Sequence, residues 1–181
     1  MEIFSNKYEF PSHHSWPFFF TLQKHAETRI KQLEMWNQIL KEFCQVNKLW
    51  KISKQFFIDN IGTNAKINRK LGSEGLNVVL NYFLYKEKTL IQCENEHFFV
   101  LWKRIEEWEQ CIYDSVVKHH RVDTLETLEY LMNDEEVRNE EYFGIEKDLL
   151  ITILKCLEKK GKCKLLQDDS GNYMGVKFFK K

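Results

Sequence analysis

One pattern is written into this chain twice. Trp36-Asn37-Gln38-Ile39-Leu40 aligns with Trp108-Glu109-Gln110-Cys111-Ile112. Nearly the same offset carries Leu76 onto Leu149, Leu80 onto Ile153, Leu84 onto Leu157, and Lys86-Glu87-Lys88 onto Lys159-Lys160-Gly161. One short match would be chance. An offset that survives across two helices and reaches a hairpin argues for duplication. Whatever the first half folds into, the second half must therefore fold into as well.

Hydrophobic periodicity supplies the elements. Leu33, Trp36, Leu40 and Phe43 recur at three- and four-residue steps, which predicts a helix from about Glu27 to Val46, with Lys31, Gln32, Gln38 and Lys41 on its other faces. Leu49-Trp50-Lys51-Ile52 alternates like a short strand, and Phe56-Phe57-Ile58 opens a shorter helix that runs out near Gly62. Ser73 is placed as the cap of a third helix, whose Leu76, Val79, Leu80, Phe83 and Leu84 form one apolar stripe. Residues 89–92 and 98–102 read as strands around the polar stretch Cys93-Glu94-Asn95-Glu96-His97.

The second half repeats that order. A helix from about Glu106 to Lys118 carries Trp108, Cys111, Ile112 and Val116, and Leu125, Leu128 and Leu131 suggest a short second helix. A third helix with Leu149, Leu150, Ile153, Leu154 and Leu157 ends at Gly161, and strands 162–167 and 173–179 flank the turn Asp168-Asp169-Ser170-Gly171-Asn172. Helix, helix, helix, hairpin is the order of a winged helix. The expected fold class is α+β, with two tandem winged-helix domains at 25–104 and 105–181 behind an extended N-terminal aromatic arm at 1–24.

The arm is the segment that most needs a partner. Proline fixes its own φ and pushes the residue before it into an extended conformation, so Trp16-Pro17-Phe18-Phe19-Phe20 is expected to be extended. Burying each ring is worth ~1.5–3 kcal/mol, and an exposed ring cluster is an aggregation hazard. The arm either folds back on its own domain or inserts into another protein. The candidate partner-binding residues are Trp16, Pro17, Phe18, Phe19 and Phe20. Ser12-His13-His14-Ser15 just before them reads as loop, with no further metal ligand at a useful spacing.

Composition narrows the function classes. The chain has 27 basic and 27 acidic residues and a formal net charge of +0, which argues against strong nonspecific attraction to nucleic acid. Its apolar runs fall short of the ~18–20 residues of a membrane span. Met1 to Lys7 lacks the apolar core of a signal peptide, and the five cysteines include no CxxC pair, so a cytoplasmic location is expected. There is no Gly-rich phosphate loop, HExxH or GxSxG, so no catalytic residue, cofactor or metal is assigned. The alternative is a winged-helix nucleic-acid-binding, transcription-associated protein. Against it, Leu76 to Tyr85 in the third helix contains no Arg or Lys, and Asn77 and Asn81 are its only evident base-reading side chains.

The chain also resembles a known family, the small subunit of the ESCRT-II endosomal sorting complex (the vacuolar protein-sorting-associated protein 25 family). The residues that carry the resemblance are Pro17-Phe18-Phe19-Phe20-Thr21-Leu22-Gln23, then Thr28-Arg29, Lys31-Gln32-Leu33 and Trp36. Asn68-Arg69-Lys70-Leu71, Leu101-Trp102-Lys103-Arg104, Glu106-Glu107-Trp108, Ile112-Tyr113, Glu140-Glu141 with Gly144, and Gly175-Val176-Lys177-Phe178-Phe179 follow in order. The resemblance implies two tandem winged helices, with the arm and first domain docked on the two larger ESCRT-II subunits and two copies of this chain per complex. It implies that the second domain recruits the N-terminal helix of the initiating ESCRT-III subunit. The expected role is multivesicular-body sorting of ubiquitinated cargo by a cytoplasmic protein recruited to endosomal membranes, with indirect membrane contact, no nucleic acid, no catalysis and no cofactor. For the ESCRT-III contact the candidates are the acidic Glu135, Glu136, Glu140 and Glu141. One departure from the family pattern is Phe18, which stands where the family has a second proline.

Overall fold

Periodicity places the first helix within a residue. The computed structural model describes residues 8–94 and 96–180; the expectations for Met1 to Lys7, and for Asn95 in the first hairpin, lie outside the described residues. Helix α1 spans Ala26–Val46 and buries Leu33, Trp36, Leu40 and Phe43 on one face. Strand β1 (Lys51–Ser53) runs directly into α2 (Lys54–Asn60), whose first turn is capped by the Ser53 hydroxyl, accepting from the Phe56 amide at 2.9 Å. Two small strands that periodicity does not reveal, β2 (Thr63–Asn64) and β3 (Arg69–Lys70), pair with each other before α3 (Ser73–Asn81). The cap of α3 is Gly72, and Ser73 is already its first helical residue. The helix continues as a π-helical turn, Tyr82–Lys86, in which Phe83 is fully buried and Leu84 half-buried. Strands β4 (Leu90–Gln92) and β5 (His97–Val100) complete the unit.

The second unit begins with α4 (Ile105–Lys118), which ends at His119. Next comes β6 (Leu125–Thr127), where periodicity suggests helix. Leu125 is therefore a strand residue, and its side chain is exposed. Helix α5 (Leu128–Asn133) follows at once, capped by the Thr127 hydroxyl accepting from the Tyr130 amide at 3.0 Å. Helix α6 (Lys147–Lys159) stops at Gly161, whose φ of 68° lies in the left-handed region that glycine adopts without strain. Strands β7 (Cys163–Gln167) and β8 (Tyr173–Phe178) close the hairpin around Asp168, whose carboxylate accepts from the Ser170 and Asn172 amides.

Topology shows the duplication more clearly than any residue match. The chain divides into units 1–102 and 103–181. In the first, the strand order is β1-β5-β4; in the second it is β6-β8-β7, so each sheet is antiparallel with its last strand in the middle. A strand–helix step capped by a hydroxyl leads into the second helix of both units. Trp36 and Trp108 both have 0 % exposure. The core of the first unit holds Trp36, Leu40, Phe57, Ile61 and Phe83, with the Trp36 and Phe57 rings 6.3 Å apart; the core of the second unit holds Trp108, Ile112, Leu131, Tyr142 and Leu149. Burying large rings and aliphatic chains in this way is the principal source of stability for units of this size. The chain has the tandem winged-helix fold.

Candidate functional site

The arm is folded, and it is folded onto its own unit. Trp16 is extended (φ −88°, ψ 120°), as a residue before proline should be. The expectation fails one residue later. Proline suits the first position of a helical turn, because its φ is already right and its missing N–H would have gone unused. Pro17–Phe20 accordingly forms a 3-10 helix, and Ser12–Ser15, expected as loop, forms another just before it. The two turns are closed by backbone bonds from His14 to Pro11, Trp16 to His13 and Phe19 to Trp16.

The turn splits the candidate rings into two sets. Phe19 and Phe20 are 2 % and 4 % exposed and pack against Trp36, Phe19 stacked at 4.3 Å between centroids and Phe20 edge-on at 5.5 Å. Trp16 and Phe18 are 43 % and 60 % exposed, and they stack on each other at 5.4 Å. Pro17 starts the turn and is itself exposed. Of the candidate residues, Phe19 and Phe20 are thus core side chains of the first unit, while Trp16 and Phe18 face outward as a pair.

Four polar residues hold this arrangement. His14, 4 % exposed, sits under the arm with its Nε2–H donating to the Ile61 carbonyl at 2.9 Å and its ring stacked on Phe10 at 4.2 Å. The Asn64 amide donates to the His14 carbonyl at 2.8 Å and faces Nδ1 at 3.4 Å, which fits a neutral ring with the proton on Nε2. Burial lowers the His14 pKa, the Ile61 bond works against that shift, and neighbouring His13 adds to it. Gln32 is 5 % exposed and bonded to the arm backbone, so it belongs to the buried face of α1 and not to its polar faces. Arg29 fastens the arm's exit, with Nε donating to the Gln23 carbonyl at 2.7 Å and Nη2 to that of Lys24 at 3.1 Å. Sequence reasoning missed His14, Arg29, Gln32 and Asn64 as functional residues. The one available signal was Gln32, a polar residue four positions before Trp36 and so above it on the same helix face.

The acidic candidates lie in the second unit, and each carboxylate has a partner there. Glu135 meets Arg138 at 3.2 Å, and Glu136 meets Arg121 and the Tyr130 hydroxyl at 2.9 Å each. Glu140 takes Lys118 at 2.7 Å and His119 at 3.2 Å, and Glu141 pairs with Lys103. Arg121 and Tyr130 hold the Glu136 carboxyl below its ordinary pKa. Glu135 remains 81 % exposed at its side chain.

The comparisons with known proteins concern the chain as a whole. The family model described as ESCRT-II complex subunit matches residues 13–146, a span that takes in the folded arm. Vacuolar protein-sorting-associated protein 25 of Danio rerio is 34% identical over 175 residues, covering 95% of this chain and 99% of that protein. The Xenopus laevis protein of the same name is 32% identical with the same coverage. The crystal structure of subunit VPS25 of the endosomal trafficking complex ESCRT-II superposes with a TM-score of 0.84 at 24% identity, covering 93% of this chain and 97% of that one. A chain of the endosomal complex ESCRT-II (VPS22/VPS25/VPS36) superposes at 0.75 with 21% identity, over 93% of this chain and 98% of that one. The family-model match over residues 13–146, with relatives 32% and 34% identical over 95% of this chain, makes the chain a member of the family of ESCRT-II complex subunits.

Proposed function

We propose that this chain assembles with the larger ESCRT-II subunits, the counterparts of VPS22 and VPS36, through the Trp16–Phe18 ring pair, and that it serves endosomal sorting of ubiquitinated cargo as a non-enzymatic scaffold. One observation carries the reading. Two large rings stay in water, stacked on each other, although the next two rings of the same segment, Phe19 and Phe20, are buried. Aromatic residues presented on a rigid base are the usual energetic anchors of protein interfaces. Phe19 and Phe20 supply that base and are not the anchors.

The test pairs Trp16→Ala with Phe18→Ala in the full chain. Removing two interface anchors of at least ~2 kcal/mol each should weaken assembly with the larger subunits by several hundredfold or more. Thermal melting of the chain alone should hardly change. Assembly at wild-type affinity would refute the reading.

Recruitment of ESCRT-III by the second unit is the finer part of the proposal. Glu135 is its best-placed acidic contact, because an exposed pair three residues apart in sequence is weak and easily exchanged for a partner's cation. The nucleic-acid alternative finds less support. The exposed face of α3 carries Glu74, Asn77 and Asn81, and the π-helical turn after it exposes Tyr85 and Lys86. Three lysines of the second unit that could meet phosphate are engaged, Lys160 with Glu109 at 2.5 Å, Lys164 with Glu158 at 3.0 Å and Lys162 over the Tyr113 ring at 4.9 Å. Steep, salt-dependent binding to duplex DNA would favour that alternative instead.

A further inference from the structure

Gln32 is a long polar side chain in a place where a leucine or methionine would bury more apolar surface. A polar group in such a position is costly unless its hydrogen bonds are made. Here they are. The Nε2 group donates to the Phe19 carbonyl at 2.7 Å and to the Thr21 carbonyl at 2.9 Å, while Oε1 accepts from the Gln23 amide at 3.1 Å. Both donors and the acceptor of the side-chain amide are thus spent on one stretch of arm backbone. Gln23 returns from the arm itself, with its Nε2 donating to the Phe18 and Thr21 carbonyls at 2.9 Å each.

These bonds are not needed to cover the core, because Phe19 and Phe20 already lie on Trp36. What they fix is direction. Packing of Phe19 sets how deep the arm sits, and the backbone bonds from Phe19 to the Trp16 carbonyl and from Thr21 to the Phe18 carbonyl close the turn on itself, but neither ties its peptide planes to the polar side chains of α1. Hydrogen bonds to the carbonyls on either side of Phe20, together with the Gln23 bond to the Phe18 carbonyl, hold those planes in one orientation. The plane that follows Phe18 sets where its ring points, and through the 5.4 Å stack it sets where Trp16 points. No strand pairs with the arm among the described residues, so these side-chain amides do for it what a neighbouring strand would do.

We propose that Gln32, assisted by Gln23, is a positioning residue of the docking surface: it locks the backbone of Phe18 to Thr21 on α1 and thereby presents the Trp16–Phe18 stack already in its bound geometry. This rests on the docking reading above. A surface ordered before contact loses less entropy on binding than one ordered by it. Gln32 therefore acts on affinity through rings it does not itself carry.

The experiment measures the affinity of the full chain for the co-purified larger ESCRT-II subunits by titration calorimetry. Gln32→Met keeps the length and removes the bonds, and it should weaken binding about tenfold. Gln23→Ala, at a half-buried position, should weaken it about threefold, and it decides the matter if Gln32→Met fails to fold. A purely structural role would not couple Gln32 to the rings, so the cycle of Gln32→Met with Phe18→Ala is the specific readout. Phe18→Ala should cost less affinity in the Gln32→Met background, where the ring is no longer held in place. Wild-type affinity for Gln32→Met and Gln23→Ala, or strictly additive losses in the cycle, overturns the positioning role. If Phe18→Ala itself weakens binding in those cases, the docking reading stands without it. If Phe18→Ala also binds as wild type, the docking reading is what has failed.

Discussion

Phe19→Ala separates a core ring from an interface ring by its effect on the isolated chain. Phe19 is 2 % exposed, stacked on Trp36 at 4.3 Å, and meets the His13 ring at 5.0 Å. Losing the transfer free energy of a buried phenyl costs about 2 kcal/mol, and losing one stacked aromatic pair about 1 kcal/mol more. A cavity beside a fully buried indole closes only in part, which brings the total to about 3–5 kcal/mol, the range of phenylalanine truncation in well-packed cores. For a unit of about a hundred residues each 1 kcal/mol moves the melting midpoint by roughly 4–8 °C, so the first unit should melt at least about 12 °C and up to about 40 °C lower. Phe18→Ala, one residue away but 60 % exposed, should stay within about 0.5 kcal/mol of wild type. Scanning calorimetry gives the midpoints, and hydrogen exchange along α1 assigns the affected transition to the first unit. If Phe19→Ala melts with wild type, the ring is not core, and the division of the arm into base and anchors is wrong.

Two further outcomes follow from the electrostatics. Folding keeps His14 and His13 from protonating, chiefly through burial, with Glu42 opposing the shift at His13, so the unfolded chain binds protons more readily than the folded one. Their contribution to stability is complete above the unfolded histidine value of about 6.5 and is lost as pH falls through and below it. The urea midpoint of the first unit should therefore drop between about pH 7.5 and about pH 5.5, and His14→Gln should flatten that slope; a midpoint independent of pH would contradict the assignment. Glu135→Lys in the second unit should lower binding of the ESCRT-III N-terminal helix several-fold without touching ESCRT-II assembly, and unchanged pull-down of that helix would remove Glu135 from the contact.

Much of this was legible because it is local. Trp36 and Trp108, the stripes of α3 and α6, and the Asp168 turn announce themselves through period and turn chemistry, and the duplicated offset converts them into a fold. The errors have a common physical origin in partners distant along the chain. Strand β6 is set by pairing of Leu125 with Lys177 and Thr127 with Gly175, so the first of three leucines at helical spacing, Leu125, falls in a strand whose partner lies some fifty positions away. Gln32 looks solvent-facing by polarity, and its burial follows from carbonyls contributed by another segment. The arm's turn depends on what lies beneath it. Trp16 obeys the restriction imposed by Pro17, but burial of Phe19 and Phe20 on Trp36 decides the rest.

The equivalent tryptophans show where the two halves of this duplicated chain parted company. In the first half the indole became a floor for a segment that precedes the repeat. In the second, the Lys103 ammonium sits 5.4 Å from the centre of the matching ring and is neutralised by Glu141. One ancestral site thus has an aromatic lid in one copy and a charged lid in the other. A hydrophobic tail transplanted to the second half would first have to evict a lysine, and so the arm belongs to one address only, although the chain contains the same foundation twice.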